Sequence, residues 1–321
     1  MKINYSKLAL SALLSSVFIL ALGYSVIFLP HLLHRRLESL FPDLFYTREP
    51  LQMMTEYTAK VRWIGYVSLI AVSLLFVLGV VTERKDLVMV GSGAFFLPTF
   101  ASFVYTMFFM TGLGFLRVIW LPLLDLNPLI LRLGDGGLVP LLPIILLTAY
   151  AGSLYPIGIM FILVGLSIFL VGIVTWLYGR MEGFDIVDFW VYRRSRHPQY
   201  LGFLILSYGL FLSASYSYIY YEGSLGGSSL PWLIINLVVV CMALWEELEM
   251  LESGGEAYRS YRDRTSFMLP LPAFISGLLI APFRWVSGET FPSSKRHVVV
   301  VFLTYFLVSC AHTLLLWAIF R

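Results

Sequence analysis

Charge is the scarcest feature of this sequence. Only 13% of its 321 residues are Asp, Glu, Lys or Arg, against the roughly 25% that a soluble domain uses to cover its surface. So little polar side chain cannot solvate a globule. Cysteine is nearly absent: Cys241 and Cys310 both lie inside apolar runs, so neither a disulfide framework nor zinc-ligand spacing is present. The basic residues are scattered through loops rather than gathered in one tract, and the net charge is only +3. That distribution speaks against a nucleic-acid footprint. No internal repeat of the ~20–50-residue kind is visible. No Gly/Ser- or Pro-rich stretch is long enough to be a domain linker. Nor do the apolar runs alternate with a period of two, as the ~10-residue strands of a transmembrane barrel must.

What is present is hydrophobicity in long blocks. The chain is 59% hydrophobic, with a mean hydropathy of +0.83, and a helix needs about 20 apolar residues to cross a bilayer. Eight runs qualify: 8–30, 61–81, 87–110, 138–153, 156–178, 200–220, 230–248 and 298–320. The first is longer than a signal-peptide core and is followed by Arg35 and Arg36 rather than a cleavage site, so it reads as a retained helix. The expected fold class is therefore all-α, a polytopic transmembrane helical bundle of about eight spans. The run 138–153 is the shortest, but keeping it places seventeen of the 22 Lys and Arg on one side, in 31–60, 111–137, 179–199 and 249–297 together with Arg62. The positive-inside rule assigns that side to the cytoplasm, and the even count puts both termini outside. Segment 271–286, with Pro272, Pro282 and Trp285, reads as an interfacial or re-entrant piece.

Two polar clusters interrupt this apolar background, both on the expected cytoplasmic side. The first is Tyr192-Arg193-Arg194-Ser195-Arg196-His197-Pro198-Gln199-Tyr200-Leu201-Gly202. Pro198 suits the first turn of a helix, and the N–H groups just beyond it form a natural anion site. Arg196 and His197 add donors, Tyr200 an aromatic face, and Gly202 room for close backbone approach. The bland alternative is an interfacial anchor of basic and aromatic residues. The second cluster is Trp245-Glu246-Glu247-Leu248-Glu249-Met250-Leu251-Glu252, leading to Gly254-Gly255-Glu256-Ala257-Tyr258-Arg259-Ser260-Tyr261-Arg262. Carboxylates in the last turns of a helix oppose its dipole, and Glu246 and Glu247 follow directly on an apolar run, where acids are paired or functional. Pairing with Arg259, Arg262 and Arg264 is the bland reading. A cationic or hydroxyl-bearing ligand is the functional one.

The order and spacing of these residues resemble a known family. Arg196-His197-Pro198-x-Tyr200-x-Gly202, then Glu246-Glu247-x-x-x-Leu251-x-x-x-Gly255-x-x-Tyr258-x-x-Tyr261 and Leu269-Pro270, are similar to the isoprenylcysteine carboxyl methyltransferase and phospholipid methyltransferase superfamily. The resemblance covers about residues 157–270. It implies a helical core with a small cytoplasmic cap that closes over S-adenosylmethionine, and a lipid-type acceptor arriving from the membrane. By position it assigns His197, Tyr200, Leu201, Gly202, Glu246, Glu247, Tyr258 and Tyr261 to the cofactor, with Arg196 and Glu247 as catalytic candidates. It divides the chain into a transmembrane region of unknown role (1–155), a methyltransferase core (156–270), and an interfacial segment with a last helix (271–321). The sequence also departs from the family pattern. Trp190 stands where a Gly is usual before the Tyr-Arg, Gly254-Gly255 replaces Phe-Gly, and Thr265 replaces a common Val. Cys241 to Trp245 lack the Arg that precedes the paired glutamates in the isoprenylcysteine enzymes.

The other features carry less. Gly91-Ser92-Gly93 and Gly112-Leu113-Gly114 sit at span ends, away from both clusters. Gly165 and Gly172 read as a close helix contact, His31 and His34 as interfacial residues, and His312 as a hydrogen-bonding residue inside a span. No metal site is expected. The expected activity is methyl transfer from S-adenosylmethionine to an amphiphilic acceptor entering from the bilayer. A membrane sterol-type reductase shares the start of the first motif and is the runner-up. A transporter or non-catalytic scaffold should carry polar residues near mid-membrane, which these spans do not.

Overall fold

A computed structural model describes residues 3–41, 50–103, 112–137, 155–220 and 229–319. Among the described residues the only regular structure is helical, with no strand. The α-helices are α1 (Tyr5–Ile27), α2 (Leu29–Leu37), α3 (Pro50–Val81), α4 (Lys85–Phe96), α5 (Leu121–Leu126), α6 (Tyr155–Met181), α7 (Pro198–Tyr220), α8 (Ser229–Arg264), α9 (Ala273–Ser287) and α10 (Lys295–Ile319), joined in places by 3-10 turns. Among the described residues, five segments are long and apolar enough to cross a membrane: Tyr5–Ile27, Glu56–Val81, Pro156–Met181, Ser229–Arg264 and Lys295–Ile319. A bent pair, Gly112–Leu126 with Pro128–Gly137, makes a sixth if it is one broken span.

The departures from eight runs have local causes. The run 87–110 is α-helical only to Phe96 and continues as a 3-10 helix, Leu97–Phe103. Pro98 removes a backbone donor there, although Leu97 itself keeps an α conformation. The stretch 112–137, expected to be a loop, is instead the helical pair bent by 116°. Pro128 cannot continue α5, and the Asn127 side chain accepts a hydrogen bond from the Leu129 amide at 2.9 Å to start the second arm. Segment 271–286 forms the apolar, 15-residue α9. The expected span 138–153 lies outside the described residues.

The chain divides into two compact units that interleave in sequence. One comprises Met1–Gly23, Met160–Ser207 and Val239–Tyr305; the other comprises Tyr24–Ile159, Tyr208–Val238 and Phe306–Arg321. This division cuts across a linear split at 155 and 270, because the first helix joins the unit that holds both polar clusters. In the second unit, Trp120 is fully buried among Phe95, Val118, Leu121 and Leu131, and its indole N–H reaches the Phe95 carbonyl at 3.0 Å. Thr313 makes the polar link there, donating to the Leu133 carbonyl at 2.8 Å and accepting from the Gly136 amide at 3.1 Å.

Within the first unit, α1 and α6 run antiparallel. The Asn4 amide donates to the Tyr178 hydroxyl at 3.0 Å, and Lys7 reaches the Met181 carbonyl at 2.8 Å and Glu182 at 2.9 Å. Farther along, Phe18 stacks on Phe169 with ring centroids 6.2 Å apart. Where both helices cross a bilayer, the amino end therefore shares a face with segment 179–199. The same unit packs Cys241, Leu244 and Leu248 of α8 against Phe283 of α9 and Val298 and Val301 of α10.

Candidate functional site

The site grows from two places where helices begin and break. α7 starts at Pro198, after a loop that contains a 3-10 turn, Trp190–Arg193. Trp190 at the head of that turn has φ +49, a left-handed conformation that costs a bulky L-residue about 1–3 kcal/mol. It is held there by stacking on Tyr178, with centroids 5.2 Å apart. The position where the resembling family carries Gly is thus one where the backbone favours Gly. α8 breaks at Gly255, which has φ 52 and ψ −134, a combination open to glycine alone. The break turns the Tyr258–Tyr261 segment away from the line of the preceding helix.

These two segments meet through one carboxylate. Glu247 is fully buried. Its Oε1 accepts from Arg196 Nε at 2.5 Å and from His197 Nε2 at 3.0 Å, and its Oε2 accepts from Arg196 Nη2 at 3.1 Å. An ionised carboxylate only accepts, so Nε2 of His197 carries the proton in this pair. Arg196 Nη1 donates to the carbonyls of Arg262 and Thr265, and the Arg196 amide to the carbonyl of Ser266. One guanidinium thereby fastens the chain beyond the break to the start of α7. Planar fork geometry makes Arg suited to this, and Lys could not replace it. The bland surface network is not what forms: Arg259 pairs with Glu256, Arg264 with Asp188, and Arg262 lies over the Phe291 ring at 4.0 Å.

Beside this lock lies a cavity of about 450 Å³, within the ~300–1,000 Å³ usual for small-molecule sites. Of the residues expected from sequence, Arg196, His197, Glu246, Tyr258 and Tyr261 line it. Tyr200 reaches it indirectly, donating its hydroxyl to Glu246 Oε1 at 2.6 Å. Glu247 lies behind the wall with its carboxylate bonded to Arg196 and His197, and the polar nitrogens of Arg196 are bonded to protein. Together they hold the start of α7 against the segment beyond the break. Leu201 and Gly202 do not line the cavity. Gly202 serves helix packing: a Cβ there would come within 2.7 Å of the Phe169 nitrogen and 2.9 Å of the Gly165 carbonyl. The close contact expected at Gly165 and Gly172 is real, with a Cβ on Gly165 only 2.4 Å from the Leu206 nitrogen.

Several lining residues lie outside both sequence clusters: Trp176 and Arg180 come from the last turns of α6 and Asp185 from the following loop. Tyr192 and Glu249 belong to the clusters but are not among the expected site residues. Tyr192 could have been noticed inside the first cluster, but nothing in the sequence says which tyrosine faces a ligand. Its hydroxyl is buried without a hydrogen-bond partner among the described residues, and burial pushes it well above the ordinary phenol range. The carboxylates of Asp185, Glu246 and Glu249 around the cavity favour a ligand with positive charge or donor groups, and Tyr258 adds an aromatic ring to the wall; the Trp176 ring already carries the Arg180 guanidinium at 5.8 Å. Comparison with protein-family models, with curated proteins and with solved structures returned no match.

Proposed function

We propose that the protein is an integral-membrane methyltransferase that moves a methyl group from S-adenosylmethionine to a lipid or lipid-modified acceptor. The observation that carries this reading is convergence. Two motifs about 50 residues apart, resembling those of one methyltransferase superfamily, share one carboxylate, Glu247, beside one cavity. The donor set suits the cofactor, combining acidic groups, aromatic rings and an unpaired hydroxyl in a space of suitable size. When bound, S-adenosylmethionine supplies a methyl group on a sulfonium, open to direct displacement. Such a reaction depends on alignment and exclusion of water more than on covalent chemistry. The Arg196–Glu247–His197 lock serves that end by fixing the walls. Glu246 and Tyr258 are the residues that would hold the cofactor, with Gln199 in the first turn of α7 near its anionic end.

The orientation we propose places the cavity at the cytoplasmic face, capped by the 182–197 loop and the segment beyond Gly255. Segments 179–199 and 249–264 carry seven of the 22 basic residues, in keeping with the positive-inside rule. Because Lys7 meets Glu182, the amino end belongs to that face as well. The acceptor is an amphiphile that enters sideways from the bilayer.

The test is to incubate purified protein with methyl-labelled S-adenosylmethionine and a total lipid extract, then treat the product with base. Transfer of label to lipid is the expected result. Release by base identifies an ester, and retention identifies an amine or ring product. No transfer, together with no calorimetric binding of S-adenosylhomocysteine, sinks the proposal. Binding of a reduced dinucleotide in its place would favour a reductase.

A further inference from the structure

One hydroxyl at the cavity has no partner among the described residues. Tyr192 is only 6% exposed and lines the cavity, yet its Oη makes no hydrogen bond to any of them. The residue is otherwise anchored, since its carbonyl accepts from the Tyr261 hydroxyl at 2.8 Å and its ring packs with Tyr178, Val187 and Phe189. A buried hydroxyl left unpaired is destabilising, so a partner supplied by a ligand would relieve a standing cost. The phenol keeps its proton and can only gain by donating it. On the same cavity, Glu246 has Oε1 taken by Tyr200, and no other donor to its carboxylate is found among the described residues.

A donor without an acceptor and an acceptor with capacity to spare suit a group that is both at once, and that group is a hydroxyl. We infer that Tyr192 reads a sugar hydroxyl of the bound cofactor, donating to its oxygen while Glu246 accepts from that hydroxyl or from its neighbour on the ring. Carboxylates that recognise ribose hydroxyls are a general device of nucleotide sites. The pair makes the cavity selective for a ribose over a deoxyribose. This inference rests on the methyltransferase reading, which supplies the ribose-bearing ligand.

Calorimetry with S-adenosylhomocysteine and its 2′-deoxy and 3′-deoxy analogues, on wild type and Tyr192→Phe, tests it. The variant should bind S-adenosylhomocysteine about tenfold more weakly, the usual worth of one such hydrogen bond. One deoxy analogue should bind wild type with a similar loss, and the variant should bind that analogue no worse than wild type does. The melting temperature of the ligand-free variant should be unchanged or higher, because no native partner is removed. A lower melting temperature, undiminished binding by the variant, or a variant that loses further affinity for both deoxy analogues as wild type does, overturns the role of Tyr192 alone. Absence of S-adenosylhomocysteine binding to wild type overturns the methyltransferase reading and this inference with it.

Discussion

Glu246 and Glu247 are adjacent in sequence and opposite in circumstance. Glu247 is sealed behind the cavity wall with a guanidinium and an imidazole on its oxygens, whereas Glu246 faces the cavity. Removing one partner of a buried ion pair costs about 3–5 kcal/mol because the other charge is stranded. Glu247→Gln should therefore lower both thermal stability and S-adenosylhomocysteine affinity, the latter by at least about tenfold. Glu246→Gln should weaken binding with little change in melting. Glu252→Gln should change neither, since Glu252 lines a separate groove with Arg259 and Arg262. Equal and mild effects at all three positions would dissolve the site. Trp190 allows a sharper test. At φ +49, Trp190→Ala gives up the stacking and keeps the strain, for a loss of about 1–3 kcal/mol. Trp190→Gly relieves the strain and should be the milder change, reversing the usual order of Ala over Gly. Melting curves of the two variants in detergent decide it, and a less stable Gly variant would mean the strain is not real. At this scale the sequence is a partial guide. Charged residues that interrupt apolar runs announce themselves, which is why His197, Glu246 and Glu247 are legible. Tyr192, Trp176 and Asp185 are not, because facing a cavity is a property of the fold around a residue.

Helices α6 and α7 touch through glycine. Each of Gly165 and Gly202 would place a Cβ within 3 Å of the other's helix backbone, so the pair sets how closely the helix bearing the first motif can approach its neighbour. Gly165→Leu cannot be absorbed by side-chain movement and should cost about 1–3 kcal/mol or more. Because α7 carries Arg196 and His197 at its head, cofactor affinity should fall together with stability. A variant that melts like wild type would show that the two helices have freedom to part. Five of the expected runs are also the five long apolar helices, since twenty apolar residues in a row leave few alternatives. The helical pair at 112–137 escapes the same reading because Pro122, Asn127 and Pro128 punctuate it, and punctuation reads as loop. Its bend satisfies local hydrogen bonds that a hydropathy pattern does not report.

For the whole molecule, the antiparallel pairing of α1 with α6 predicts that the amino end and the 179–199 segment lie on one side of the membrane. Single cysteines at Ile3 and Gly183, in a chain with Cys241 and Cys310 replaced, should accordingly be labelled from the same side. Labelling from opposite sides would overturn the pairing. Lateral entry of the acceptor has its own signature. Each methylene buried in a lipid slot adds up to about 0.8 kcal/mol, so catalytic efficiency should rise steeply with acceptor tail length until the slot is full. Equal efficiency for short soluble and long membrane-bound acceptors would rule out a lipid slot. The pairing of α1 and α6 also has a consequence in time. Asn4 and Tyr178 are 174 positions apart, and ribosomes add roughly 5–20 residues per second, so the first helix waits about ten to thirty-five seconds for its partner to be made. Throughout that interval Lys7 and Ser11 have none of their native contacts with Met181 and Glu182. Helix α1 thus waits unpaired well after its own synthesis, and capture by another nascent helix in that interval is a point at which assembly of this unit is exposed to error.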